Sequence, residues 1–158
     1  MVTTRRPKEP DKRMGVYTRL EDVPDRYRLY HHEAAYAERD VWEEYLTEYF
    51  LDTFGTDYTE QYARRAGRDW KEHMTERGRH HALATPEDVD TWCTALVDRM
   101  KPRSAYQNYW TKLERFYSWL QTHTDHPHVY HPVLMAAAEY PAAGQIWDIK
   151  IGTWRDDQ

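Results

Sequence analysis

The chain has 158 residues, 40% hydrophobic and 15% aromatic, which is enough for one domain with a real core and too apolar for a disordered chain. Its single cysteine, Cys93, excludes an internal disulfide and fits a reducing cytoplasm. No apolar run approaches the roughly 18 residues of a membrane helix, and no apolar segment follows the basic N-terminus as a secretory signal would require.

Residues 1–30 hold Pro7, Pro10 and Pro24 among eight basic and five acidic side chains, and they read as a flexible N-terminal arm. Helical periodicity begins near Glu33. In the first helix, ending at Gly55, Trp42, Tyr45, Leu46, Tyr49 and Phe50 share one face and the opposite face is acidic. Tyr62, Ala66, Trp70 and Met74 recur every four residues in a second helix over 58–77, with Gly78 as its C-terminal cap. Thr85-Pro86-Glu87-Asp88 supplies an N-cap, a proline at the first helical position and acids in the first turn of a third helix. Its apolar stripe is Val89, Trp92, Cys93, Leu96, Val97 and Met100, and the stripe makes Cys93 a buried, inert thiol. After the break at Lys101-Pro102, Ser104 is the expected cap of a fourth helix over 104–121 that buries Tyr106, Tyr109, Trp110, Leu113, Phe116, Tyr117 and Leu120. Residues 122–131 read as a polar surface loop containing His123, His126, His128 and His131. Pro132 opens a short apolar helix over 132–139, and residues 140–158 read as an irregular tail. The fold expected is all-α: a compact bundle of four main helices plus a short C-terminal helix, with the helical domain spanning 31–139.

The ordered set 62-YARRAGRDW-70, 85-TPEDVDTWCTAL-96, 113-LERFYSWL-120 and His131-Pro132 before 133-VLMAAA-138 resembles the N-terminal core-binding (SAM-like) domain of the tyrosine recombinase, or phage integrase, family. The resemblance covers 58–138, about half the chain. The sequence departs from the family pattern at Tyr58, usually Thr or Ser, at Asp69, usually Phe, and at His131, usually Asn. The resemblance implies a SAM-like fold and contact with double-stranded DNA through the second and fourth helices. It also implies a place in site-specific recombination or DNA integration, as a stand-alone relative or as part of a longer recombinase. The family's catalysis requires a second domain with an Arg, a His-x-x-Arg box and a Tyr nucleophile. No histidine here is followed three places later by Arg, so no enzymatic activity is expected.

Charge distribution gives a physical basis for the same face. Net charge is −5 overall, yet residues 33–57 carry eight acids against Arg39, whereas residues 99–115 carry five cations against Glu114. The candidate DNA-binding residues are Arg64, Arg65, Arg68 and Lys71 on the second helix, and Lys101, Arg103, Ser104, Gln107, Asn108, Lys112 and Arg115 on the fourth. Lys and Arg neutralise phosphates, Ser bonds phosphate oxygens, and Gln or Asn reads adenine edges. Duplex DNA is the expected partner, with self-association or a separate recombinase subunit as further partners. No cofactor, catalytic residue, metal, membrane or small-molecule substrate is expected. The rival reading is a helical protein–protein interaction module that uses the acidic first helix.

Overall fold

The computed structural model describes residues 8–13 and 15–156. Among the described residues seven helices order the chain and no strand occurs. Helix α1 is one short turn, Glu33–Tyr36. Helix α2 runs through Val41–Tyr45, a π-helical turn at Leu46–Phe50, and Leu51–Phe54. Helix α3 is Asp57–Arg77 and α4 is Pro86–Arg99. Helix α5 runs through Pro102–Ala105, a second π-helical turn at Tyr106–Trp110, and Thr111–Thr122. Helices α6, Pro132–Glu139, and α7, Pro141–Asp156, complete the order. The expected all-α bundle is what forms, and no helix among the described residues is long and apolar enough to cross a membrane.

The ends of the central helices follow local chemistry. Thr56 caps α3 by accepting from the Thr59 amide, and Thr59 bonds back to the Thr56 amide. Gly78 closes the helix at φ 79°, where a Cβ would be strained. Thr85 and Asp88 form the same reciprocal box on α4, with Pro86 in the first turn. One expected cap does not form. Helix α5 starts at Pro102, two residues early, because proline presets the first helical turn; Ser104 therefore lies inside that turn and makes no cap.

Trp42, Trp70, Trp92, Trp110, Phe116 and Tyr117 form the aromatic centre, all essentially without solvent contact. Trp42 and Phe116 join α2 to α5 at a centroid distance of 4.7 Å, and Trp70 meets Trp92 edge-on at 5.0 Å, joining α3 to α4. The sharpest fit is at Gly67, where an added Cβ would sit 2.3 Å from Trp42 Nε1. The indole lies across that glycine and donates to the Ala63 carbonyl at 3.2 Å, which sets how closely α2 approaches α3. Tyr49, expected on the buried face, is instead 40% exposed within the π-helical turn.

Three expectations at the edges are corrected. The N-terminal stretch is not an extended arm from residue 8 onward: short 3-10 turns wrap it onto the body, burying Val23 and Leu29. The Leu29 amide donates to the Tyr130 hydroxyl at 2.9 Å, and Arg19 pairs with Glu139 at 2.9 Å. Residues 1–7 and Met14 of the expected arm, and residues 157–158 of the expected tail, lie outside the described residues. The tail over 141–156 is helical and buries Ala143, Ile146, Trp147 and Ile151. Its first turn is satisfied from a distance, by Asp90 of α4 accepting from the Ala143 amide at 2.9 Å. The histidine loop is not a surface loop either, since His126, His128, Tyr130 and His131 are all buried. His131 Nδ1 accepts from the Leu134 amide at 3.3 Å and so caps α6.

Candidate nucleic-acid interface

Helix α3 buries Ala63, Ala66, Trp70 and Met74, and this stripe fixes the direction of every other side chain on it. Arg64 and Lys71 lie on the flank facing α2. Arg64 donates to Glu43 at 2.7 Å and to Glu60 at 3.3 Å, and Lys71 donates to Asp40 at 3.0 Å. The acids at the start of α2 thus meet counter-charges from within the same chain at half-exposed pairs, with Arg39 holding Glu44 at 2.7 Å. Arg65 and Arg68 are on the outward face, exposed, sharing it with Glu72 one turn on. The opposite flank carries Tyr62 and Asp69. Asp69 accepts from Trp92 Nε1 at 2.7 Å and from Arg99 at 2.5 Å.

Helix α5 supplies the rest of the face. Lys101 and Arg103 at its start and Gln107 a turn later are exposed, while Ser104 and Asn108 are half-buried. Lys112 reaches between the helices: its ammonium donates to the Gln107 carbonyl at 2.7 Å and lies 5.9 Å from the centre of the Tyr62 ring. Partial burial, and then the neighbouring Arg115, lower the Lys112 pKa. The Arg65 guanidinium covers the same Tyr62 ring at 5.3 Å, and that of Arg115 covers Phe54 at 4.6 Å. The two helices therefore present cations seated on aromatic rings along their shared seam.

Pairing divides the candidate residues cleanly. Among the described residues, Arg65, Arg68, Lys101, Arg103, Lys112 and Arg115 have no carboxylate partner within ion-pair distance, whereas Arg64 and Lys71 do. Elsewhere, Arg77 and Arg79 are held by buried Asp88 at 2.8 and 2.7 Å and Lys150 by buried Glu114 at 2.9 Å, whereas Arg28 donates to the Val23 and Leu20 carbonyls and Arg26 lies over the Tyr27 ring. The aromatic platforms Tyr62 and Phe54 were not among the expected site residues. The Tyr62–Arg65 spacing of three residues was the available signal, since it places both on neighbouring positions of one helix surface. The Phe54–Arg115 contact joins two helices and leaves no mark in sequence spacing.

Other reactive groups are subdued by burial. The Cys93 thiol is pushed up, disfavouring the thiolate, and the Tyr36 phenol is pushed up to about 12. Among the described residues no group of three or more His, Cys, Asp or Glu is placed to hold a metal ion. Neither the family models, nor the curated proteins, nor the solved structures contain a match to this chain.

Proposed function

We propose that the chain is a non-catalytic helical DNA-binding domain that contacts duplex DNA through the outer surfaces of α3 and α5. In this reading it serves site-specific recombination or DNA integration, as the core-binding domains it resembles do. The observation that carries the reading is the group of six cations on α3 and α5 that, among the described residues, have no carboxylate partner, three of them placed over aromatic rings. A guanidinium resting on an aromatic ring keeps its outward N–H groups for an oxygen acceptor, and phosphate is the acceptor that a row of such groups fits. Gln107 and Asn108 lie between the cations of α5, where a base edge would come within reach of a positioned backbone.

The rival reading assigned a protein partner to the acidic helix. Asp40, Glu43, Glu44 and Glu48 are all engaged, by Lys71, Arg64, Arg39 and His123. That leaves the cationic face as the better-supported surface. Salt separates the two. Neutralising about five phosphates gives a slope near −4.5 in log K against log salt, whereas apolar docking gives a far shallower one. Fluorescence anisotropy with a mixed-sequence duplex, between roughly 50 and 200 mM salt, measures it. A slope close to zero, or no binding at the lower salt, contradicts the reading.

A further inference from the structure

Seven residues, 36–42, carry the chain from α1 into α2, and their polar bonds to the rest of the molecule run largely through histidines. The Tyr36 hydroxyl meets His126 Nδ1 at 2.5 Å. The Arg39 carbonyl accepts from His80 Nε2 at 2.8 Å, and the Trp42 amide donates to His81 Nε2 at 3.2 Å. His80 is used at both ends, since its Nδ1 accepts from the Ala82 amide at 3.0 Å. Behind them, His128 Nε2 donates to the Ala82 carbonyl at 2.6 Å, and its Nδ1 is buried without a partner. The remaining links are Asp40 to Lys71 and the Trp42 indole to the Ala63 carbonyl.

Only a neutral imidazole can make this set of bonds. A protonated ring has two N–H groups and no acceptor, so protonating His81 removes the partner of the Trp42 amide, and protonating His80 removes that of the Ala82 amide. We propose that the backbone of residues 36–42 forms a histidine-held latch that loosens in mildly acidic solution while the Trp42 indole stays seated on α3 and the helices beneath it stay folded.

Around each ring, burial and neighbouring cationic or imidazole groups disfavour a second proton, opposed in part by nearby acids and backbone carbonyls. His80 and His81 stack at 4.1 Å, so the first proton opposes the second. His81 also faces Lys71 and Asp40, and His80 faces Arg39, Asp40 and Glu44. His126 faces His123, Arg39, Glu44 and Asp125, and His128 faces His126, His32 and His131. Two of the acids in this group are already shared, Asp40 with Lys71 and Glu44 with Arg39. Burial is the first cause in every case, lowering His81 and His128 to about 3 and lowering His80 and His126 as well. Released rings would return to a pKa near 6.5. Because the folded values are the lower ones, the closed latch is fully favoured above about pH 6.5 and loses stability as pH falls below it.

The deeper ion pairs outlast that window. Asp88, held to about 2 against the desolvation of its site by Arg79, Thr85 and Arg77, stays ionised there, and Glu114 is likewise lowered by Lys150. Their contributions persist until pH falls below the ordinary carboxylate range.

Amide NMR spectra of the full chain from pH 7.5 to 5.0 test this. The Trp42 and Ala82 amides and the rest of 36–42 should shift or broaden together, with a midpoint between about pH 5 and 6.5, while those of Ala66, Cys93 and Leu113 hold. No change at Trp42 down to pH 5.0, or simultaneous change throughout the chain, overturns the latch. In H80Q/H81Q each side-chain amide offers a donor and an acceptor at every pH, so the Trp42 change should vanish; its persistence contradicts an origin in His80 and His81 and overturns the latch as proposed. Should that variant fail to fold, the imidazole titrations of the native chain decide. A His80 or His81 midpoint coinciding with that of Trp42 supports the latch, and separate midpoints overturn it.

Discussion

Gly67 and Gly152 both sit inside helices, yet they answer to opposite constraints. A Cβ at Gly67 would enter the Trp42 indole, a rigid group fixed by its bond to the Ala63 carbonyl, whereas a Cβ at Gly152 meets nothing within 4 Å. Gly67→Ala should therefore destabilise by about 2 kcal/mol through overpacking, and Gly152→Ala should stabilise by about 0.7 kcal/mol through helix propensity. Urea denaturation midpoints of the two variants check both signs. Asp88 is the other decisive single residue. Its buried carboxylate holds Arg77 and Arg79 and accepts the Thr85 amide. Asp88→Asn should cost about 3 kcal/mol at pH 7, the lower end for breaking a buried pair, since both arginines reach water. Native Asp88 titrates near 2, below its ordinary 3.8, so its contribution is complete above pH 3.8 and is lost as pH falls through 2. The difference between native and variant should narrow over that interval in acid denaturation curves.

At the scale of elements, the best-read helices were those whose ends and faces are determined locally. The Thr85-Pro86 start of α4, the Gly78 stop of α3 and the Pro132 start of α6 all stand where the sequence places them. Helix α7 was missed because what stabilises it is remote: Asp90 caps its first turn, and Lys150 reaches Glu114 of α5 at 2.9 Å. Two glycines and a broad apolar distribution also weaken its periodic signal. The histidine loop was misread for a related reason, since polar composition signals exposure unless each ring has a buried partner, and here Tyr36, Ala82 and Glu114 supply them. Removing the α7 anchor makes the dependence measurable. Lys150→Ala leaves Glu114 buried without its counter-charge and should cost about 3 kcal/mol. The paired change E114Q/K150M removes both charges and should recover most of that loss by thermal unfolding.

For the whole molecule, charge placement matters more than charge sum. The net −5 concealed two arrangements that only the tertiary structure separates: acids at the start of α2 paired with Arg64 and Lys71 of α3, and other cations of α3 and α5 left without acids. All eleven candidate residues were legible as polar positions on two helices, but which of them are already paired was not, because partners such as Glu43 and Asp40 come from another helix. That division gives the most direct test of the DNA-binding proposal. Anisotropy titrations with a mixed-sequence duplex would compare the native chain with R65Q/R68Q and R64Q/K71Q. Each variant removes two charges, so the net charge is matched. The account predicts that R65Q/R68Q binds more weakly and lowers the salt slope by about 1.8, at 0.9 per phosphate contact, while R64Q/K71Q leaves the slope close to native. Equal losses in the two variants, or no salt-sensitive binding by the native chain, would contradict it.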